Sequence, residues 1–563
     1  MLCKRAQTVP GGSFEHRILP QAMNESPAFA LRNAAFRRLW VVSVFSVIAV
    51  AAQDCAAIWA MYKLNASPLF LALISAAAAL PFFLFILPAG ALADIVDRRK
   101  LLCVMSLWSA LSSGLFAALS GLRLLTPALI LICIFLLGVG LAVTAPVWPV
   151  LASEMVSKEE LASAMLLSGL QMNIGAVVGP ALGGLLLPVA GTTWICSLNA
   201  FCFLLVAVVL VDWKRNSPPT KLPLENFFES FLTAIRYVLH SPEIQVVLFR
   251  SAVFTFFISL LPALAPVIGL KKIGLNALGC GLMLSGISAG SVVAAVGVMG
   301  WLRARISPNL LTVVANFLLG TVFVLMAFVQ DQNLFILTAF LGGIGWTLCA
   351  SELWIATQRA IPDWARARIN ALFFIVTQGA IVLGGFLWGY AAANFGSAHT
   401  MIAGSILLLS SMIIAVPLSI NFTQAIDFTT DPVTSISHRL LYLPKATDGP
   451  VVIHYDIEVD PRRGGEFLAT MKHVRMVYLR NGAFSWRLHE DLGRYNTYRI
   501  EVMVPSWSQY VAQSERLTKA EKMILKRAKN FHIGNKLPGE QTLLCVNREL
   551  HARRRLEVKA HAK

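Results

Sequence analysis

The chain has 563 residues, of which 57% are hydrophobic and only 14% charged, with a net charge of +17 and a mean hydropathy of +0.68. These values exclude an ordinary soluble globular protein. In so apolar a chain the basic excess reads as basic loops and a basic tail around membrane spans, and no nucleic-acid recognition motif accompanies it.

Residues 1–36 are polar, rich in Pro, Gly and Arg, and lack the apolar core of a signal peptide, so they read as a cytoplasmic tail, with Met23 as an alternative start. Apolar runs of spanning length follow near 38–62, 68–92, 101–122, 126–151, 161–190 and 192–213. After a polar stretch at 214–245 they resume near 246–270, 276–302, 308–330, 333–358, 369–394 and 397–420. The expected fold is therefore all-α: twelve transmembrane helices as two six-helix bundles, 37–213 and 246–420. Loop charges sort accordingly. Arg37, Arg98, Arg99, Lys100, Lys214, Arg303, Arg305, Arg366 and Arg368 fall on one side, while the other carries only Lys63, Arg123, Lys271 and Lys272. The basic side is the cytoplasmic one, which puts both termini there. In the central loop Phe227, Phe228, Phe231, Ile235 and Val238 recur at helical spacing, predicting an amphipathic helix on the cytoplasmic membrane face.

The halves also resemble each other at a constant offset of 205 residues. Gly138 and Gly140 fall on Gly343 and Gly345, Gly179 and Gly184 on Gly384 and Gly389, and Arg98 and Lys100 on Arg303 and Arg305. Two parallel six-helix repeats give that pattern. Nine cysteines are scattered without a C-x-x-C pair, which argues against a disulfide framework and a zinc site, and no metal or cofactor is expected.

Gly90–Lys100, GALADIVDRRK, ends one apolar run in four charges before the next begins. Asp97, Arg98, Arg99 and Lys100 cannot share a helix interior in lipid, where each costs roughly 2.5–3.5 kcal/mol, so the stretch is a tight loop. Its glycine suits a close approach of two helices, and Asp94 suits a helix N-terminus or an arginine partner. The stretch resembles the loop between helices 2 and 3 of the major facilitator superfamily, through Gly90, Leu92, Ala93, Asp94, Arg98 and Arg99, although Asp97 stands where a glycine is usual. The resemblance implies a cytoplasmic gate held by charge pairs that break on opening.

In helix 5, Gly175, Gly179, Pro180, Gly183 and Gly184 resemble the motif of the superfamily's export branches, with Leu166 departing from its longer form. Small residues make a flat helix face, and Pro180 removes a backbone donor; ordinary helix packing is the alternative reading. The segments LRNAAFRRLW at 31–40 and Pro362–Arg368 are similar to the transmembrane secretion effector branch.

Polar residues inside apolar runs mark the candidate path. Asp54 interrupts the first run and reads as a proton-coupling site, a cation-recognition site or a satisfied structural carboxyl. Glu352 in helix 10 is similar, with Arg250 in helix 7 either its partner or a side chain reaching for the interface. Gln53, Gln171, Asn173 and Gln378 either line a cavity or bond between helices. Trp59, Trp148, Trp346 and Trp354 read as packing more readily than as a substrate cage. No G-x-x-x-x-G-K-[ST] motif occurs, so ATP has no engine here and an ion gradient must drive transport.

Beyond a polar linker at 421–449 the composition becomes that of a soluble domain, 450–550, followed by a basic tail at 551–563. Strands at VVIHYDIEV, AFSWRLHEDL, TYRIEVMV and QTLLCVNREL, with helices over 461–479 and 506–531, give the βαββαβ order of a ferredoxin-like cytoplasmic domain. It resembles antibiotic-biosynthesis-monooxygenase-like domains, which implies pairing into a homodimer and draws attention to Trp486, His489 and Tyr495. The whole reads as a proton-coupled exporter of a medium-sized amphipathic molecule, a siderophore or drug, in a bacterial inner membrane, with the substrate, protons and the bilayer as partners. An importer and a membrane-tethered enzyme using the tail domain are the alternatives.

Overall fold

The structure is a computed structural model and describes residues 29–213, 227–415, 417–420, 444–534 and 541–545; both ends of the chain and most of the linker lie outside them. Among the described residues eleven helices are long and apolar enough to cross a membrane. One of them, Leu161–Asp212, runs 52 residues, about 78 Å at 1.5 Å per residue and more than twice a hydrocarbon core. It folds back at Gly191, whose φ of 71° and ψ of 172° leave helical space. Gly183 lies against Ala52, and Asn199 hydrogen-bonds the adjacent Gln53, so the two arms run side by side. The segment is two spans, and the total is twelve.

Start signals in the sequence set the spans. Asn33, Asp97, Thr126, Asn276, Ser307 and Asp331 cap helix N-termini with their side chains. Pro68, Pro127, Pro242 and Pro308 occupy first turns, where a missing N–H costs nothing. The spans are Ala34–Lys63, Pro68–Ile95, Arg98–Gly121, Pro127–Thr144, 161–190, 192–212, Pro242–Ile273, Ala277–Arg303, Pro308–Phe328, Gln332–Ala360, Arg366–Phe395 and Ser397–Ala415, numbered 1 to 12 below. The fourth run, expected to be continuous, breaks at Pro146 and restarts as a short helix, Val147–Met155.

The repeat is visible in the packing. Gly179 of span 5 lies on Ala51 of span 1, and Gly384 of span 11 lies on Phe256 of span 7, 205 residues later on both sides. Gly184 meets Ala277 across the halves, and Gly389 meets Ala72. Span 5 thus packs on span 8, and span 2 on span 11. These two pairs exchange under a two-fold axis along the membrane normal, which is the major facilitator arrangement of two parallel six-helix repeats.

The central helix forms as expected, Phe227–Leu239, but its buried face sits on protein. Ala234 and Tyr237 pack with Ile361, Ala365 and Ile369, and the helix touches Gly464–Arg480 of the tail domain. The side chains of Phe227, Phe228 and Phe231 lie outside the described residues.

The tail domain is a four-stranded antiparallel sheet, β1 (Val451–Glu458), β2 (Ser485–Glu490), β3 (Thr497–Val504) and β4 (Gln541–Leu544), in the order β2-β3-β1-β4 of a ferredoxin-like fold. On β1 and β3, Ile453, Tyr455, Ile457, Ile500 and Val502 face Phe467, Met471 and Val474 of the helix Gly464–Arg480. On the other face Asp456 accepts from Arg499 Nε at 2.7 Å and Nη2 at 2.9 Å, bonds that hold its carboxyl below the usual carboxylate range.

The expected second helix is two, Trp507–Arg516 and Lys519–Lys529. Thr518 restarts the chain with a capping box, in which Glu521 accepts from the Thr518 N–H at 2.9 Å. Glu521 is buried and also accepts from Arg480 at 2.7 Å and Asn481 at 3.0 Å. Glu521→Ala leaves Arg480 with its ion-pair partner gone, and the expected cost is about 3–5 kcal/mol to the tail domain. Limited proteolysis of the full chain in urea checks this, with cleavage within 450–534 moving to lower urea while the membrane spans stay intact.

Candidate functional site

The two halves meet most closely on the side opposite the basic loops, here the far side. A β-carbon at Gly281 would stand 2.3 Å from the Pro180 carbonyl oxygen, and one at Gly184 would stand 2.5 Å from that of Ala277. Neither position has room for a side chain. Gly175, Gly179 and Gly183 face the other way, each within 3 Å of span 1 at Val47, Ile48 and Ala52. The helix-5 motif therefore joins span 5 to span 1 within its own half and to span 8 across the halves. Span 11 meets span 2 in the same manner, with Gly389 on Ala72 and Gly385 on Ala76. Lys271 donates to the Ala66 carbonyl, closing the far-side loops.

This contact continues inward to Gly379 against Phe83, at 3.0 Å. Seven residues further along span 2, a β-carbon at Gly90 would meet nothing within 4 Å. The close helix approach expected at Gly90 is thus absent: the halves are joined on the far side, and the position a Gly90 side chain would take is open.

The rest of the gate loop binds its own half. Asp97 caps span 3 by accepting from the Lys100 N–H at 3.1 Å. Arg98 donates to Glu154 at 2.7 Å and to the Ala93 carbonyl at 3.2 Å. Arg99 donates to the carbonyls of Leu210, at 2.6 Å, and Val211, satisfying the end of span 6. The Asp94 side chain lies outside the described residues.

Arg303, the repeat counterpart of Arg98, donates to both carboxylate oxygens of Glu352, at 3.2 Å for Nη2. The partner of Glu352 is therefore Arg303 and not Arg250. Arg250 instead donates to Asn309, Thr312 and the Leu418 carbonyl. Span 7 turns Arg250 toward spans 9 and 12, a direction hydropathy does not encode. Among the described residues each half has an arginine-to-glutamate pair at the basic side. Glu154 is not the repeat counterpart of Glu352, which falls on Val147, so the internal offset does not mark it.

Asp54 lies nine residues from the end of span 1, about 14 Å along the helix. From Ser46 to Tyr62 every residue except Asp54 is buried or half-buried. Its neighbours on the same helix face, Val47, Val50, Ala51 and Ile58, are half-buried or buried, so Asp54 is the exposed point of that face. It has no hydrogen bond or ion pair among the described residues. Gln53 points elsewhere. It is 2% exposed and accepts from Asn199 at 2.8 Å, while Asn199 also reaches Ser113, tying spans 1, 3 and 6 together. Asn173 of span 5 is exposed, and Gln378 of span 11 is half-buried.

Gln171 is buried with an unpartnered Oε1, beside a small cleft that Trp40, Trp148 and Ser168 also line. Trp59 packs at a tilt against Tyr62, and Trp354 meets Phe373 edge-on. In the tail, Trp486 packs on the core while His489 is exposed on the opposite face of β2, and Tyr495 is 91% exposed. Those three form no common site.

Residues 25–550 match the family described as transmembrane secretion effector. The chain belongs to that family. It is a secondary transporter and not an enzyme. Over 344 residues it is 29% identical to the enterobactin exporter EntS of Citrobacter koseri, covering 58% of this chain and 80% of that protein. It is 28% identical over 342 residues to the EntS of Shigella flexneri, covering 58% and 79%. Among solved structures it is similar to a bacterial homolog of the human lysosomal transporter Spinster in an inward-facing, unoccupied conformation, with a TM-score of 0.55, 13% identity and coverage of 69% of this chain and 96% of that one. It is also similar to the nucleoside transporter NupG, with a TM-score of 0.56, 10% identity and coverage of 68% and 98%. The fold of both matches the twelve-span arrangement.

Two outcomes follow from this geometry. Gly184→Leu forces spans 5 and 8 apart on the far side. Labelling of the buried Cys280 by a bulky maleimide in purified protein should accelerate by about tenfold, the effect of roughly 1.4 kcal/mol on the closed state; an unchanged rate would place the seal elsewhere. Arg303→Met leaves Glu352 charged and buried, an expected loss of about 3–5 kcal/mol, and adding Glu352→Met should restore most of it. Thermal unfolding of the single and double variants reads this directly.

Proposed function

We propose that this protein is a proton-coupled exporter working by alternating access, with Asp54 as the coupling carboxyl. The observation that carries the reading is Asp54 itself: a lone carboxyl within a span, exposed where the rest of its helix face is covered and without a partner among the described residues. Such a group exchanges protons readily because no cation fixes it in the ionised state. Closure at Gly184–Ala277 and Gly389–Ala72, with open space at Gly90, supports an inward-facing state.

In this cycle substrate enters from the cytoplasm, the halves rock, the far side opens, and Asp54 takes up a proton as substrate leaves. Asn173 and Gln378 are the polar contacts we assign to the path. Gln53 and Glu352 hold helices together, and Gly90 becomes a close contact only when the basic side shuts. The basic loops support a cytoplasmic position for that side and for both termini, in a bacterial inner membrane. The EntS relatives support a siderophore-like amphipathic substrate. We assign pairing of tail domains to the open sheet face carrying His454, Asp456, Arg499 and Glu501.

Inside-out vesicles energised to pump protons inward test the reading. Wild type should accumulate a catecholate siderophore or a fluorescent dye, a protonophore should abolish this, and Asp54→Asn at equal membrane expression should reduce it by about a hundredfold or more, the range of a lost proton-transfer group. Undiminished accumulation by Asp54→Asn would remove Asp54 from coupling, and uptake in right-side-out vesicles would make the protein an importer.

A further inference from the structure

Transport leaves one buried charge unexplained. Arg250 is 5% exposed and sits about two turns into span 7. Its guanidinium donates to Asn309 Oδ1, to Thr312 Oγ1 at 2.6 Å and to the Leu418 carbonyl at 3.0 Å. All three acceptors are neutral, and among the described residues no carboxylate pairs with it. Glu352, the other buried charge of this half, is held by Arg303. Neutral acceptors satisfy the N–H groups but leave the positive charge uncompensated, and a buried charge calls for an opposite one.

A small cleft lies beside Arg250, between spans 7, 9, 10 and 12. Asn316 also lines it, and its Oδ1 has no hydrogen-bond partner. Apart from Ser411 the rest of the lining is largely apolar, ending at Phe249 and Ile414, which are 48% and 61% exposed. Exposed apolar side chains at this depth of a membrane protein face lipid tails. The depth is that of the basic-side interface, because Asn309 and Thr312 belong to the start of span 9 and Leu418 follows the end of span 12.

We propose that this cleft binds the headgroup phosphate of an anionic phospholipid, with Arg250 as its counter-charge and Phe249 and Ile414 against its acyl chains. Basic pockets between spans on this side of a membrane are suited to such headgroups. A soluble phosphate would offer Arg250 the same chemistry but would gain nothing from the apolar rim. The assignment stands whatever the direction of transport and whatever Asp54 does.

The test is thermal unfolding of the purified full chain in a detergent without phosphate, titrated separately with phosphatidylglycerol, phosphatidylcholine and inorganic phosphate. Phosphatidylglycerol should raise the midpoint in a saturable way, while the other two leave it unchanged. Arg250→Met should weaken the phosphatidylglycerol response by about tenfold or more in apparent affinity. An equal rise with phosphatidylcholine means a general lipid effect, an equal rise with inorganic phosphate means a soluble-anion site, and a wild-type response from Arg250→Met removes the arginine; each overturns the proposal. Native mass spectrometry of the unsubstituted protein with equal amounts of both lipids supplies a second reading independent of the variant's folding. Retention of phosphatidylglycerol about tenfold over phosphatidylcholine is expected, and equal retention overturns the assignment.

Discussion

Backbone contact between spans 5 and 8 is the interaction on which the rest of the structure depends. Lipid tails are as apolar as leucine, so nothing hydrophobic drives two spans together inside a bilayer. What remains is dispersion between surfaces that fit closely, and Gly184 against Ala277, with Gly281 against Pro180, gives about the closest fit two helices allow. The same contact recurs at Gly389 on Ala72 through the internal two-fold. Two flat contacts without interlocking side chains can close and part without repacking a core, which is what a rocking transporter requires.

Charge is arranged around that constraint. In each half an arginine at the basic side is spent on a glutamate of the same half, Arg98 on Glu154 and Arg303 on Glu352. Arg99 is spent on the carbonyl end of span 6. These bonds stiffen each bundle as a unit, so that motion is concentrated between the bundles. Asp54 and Arg250 are two charges within the spans that receive no oppositely charged partner among the described residues, and they sit in different halves with different surroundings.

The tail domain is attached to the second half. The Arg516 guanidinium stacks 4.6 Å above Trp364 in the loop between spans 10 and 11, and Tyr237 meets the same indole edge-on at 5.5 Å. The central helix thereby bridges the membrane bundle and the sheet domain, burying Tyr237 between them and raising its phenol above the ordinary range. The tail therefore moves with spans 7 to 12.

The sequence by itself determined the spans, their grouping into two repeats and the order of strands in the tail. Those features follow from local quantities: apolar length against bilayer thickness, Pro and Asn at helix starts, alternation in strands, and a fixed offset between glycines. Only the tertiary structure decided which side chain meets which. Hydropathy gives a helix its length but not its rotation, so Arg250 could be paired with Glu352 on paper while span 7 turns it toward Asn309 and Thr312. A glycine marks a close approach without saying in which state of a moving protein it is made, so Gly90 stands in open space here. Gln53 and Asp54 are adjacent and both polar, yet the 100° between neighbours on a helix sends one into a buried network and leaves the other exposed.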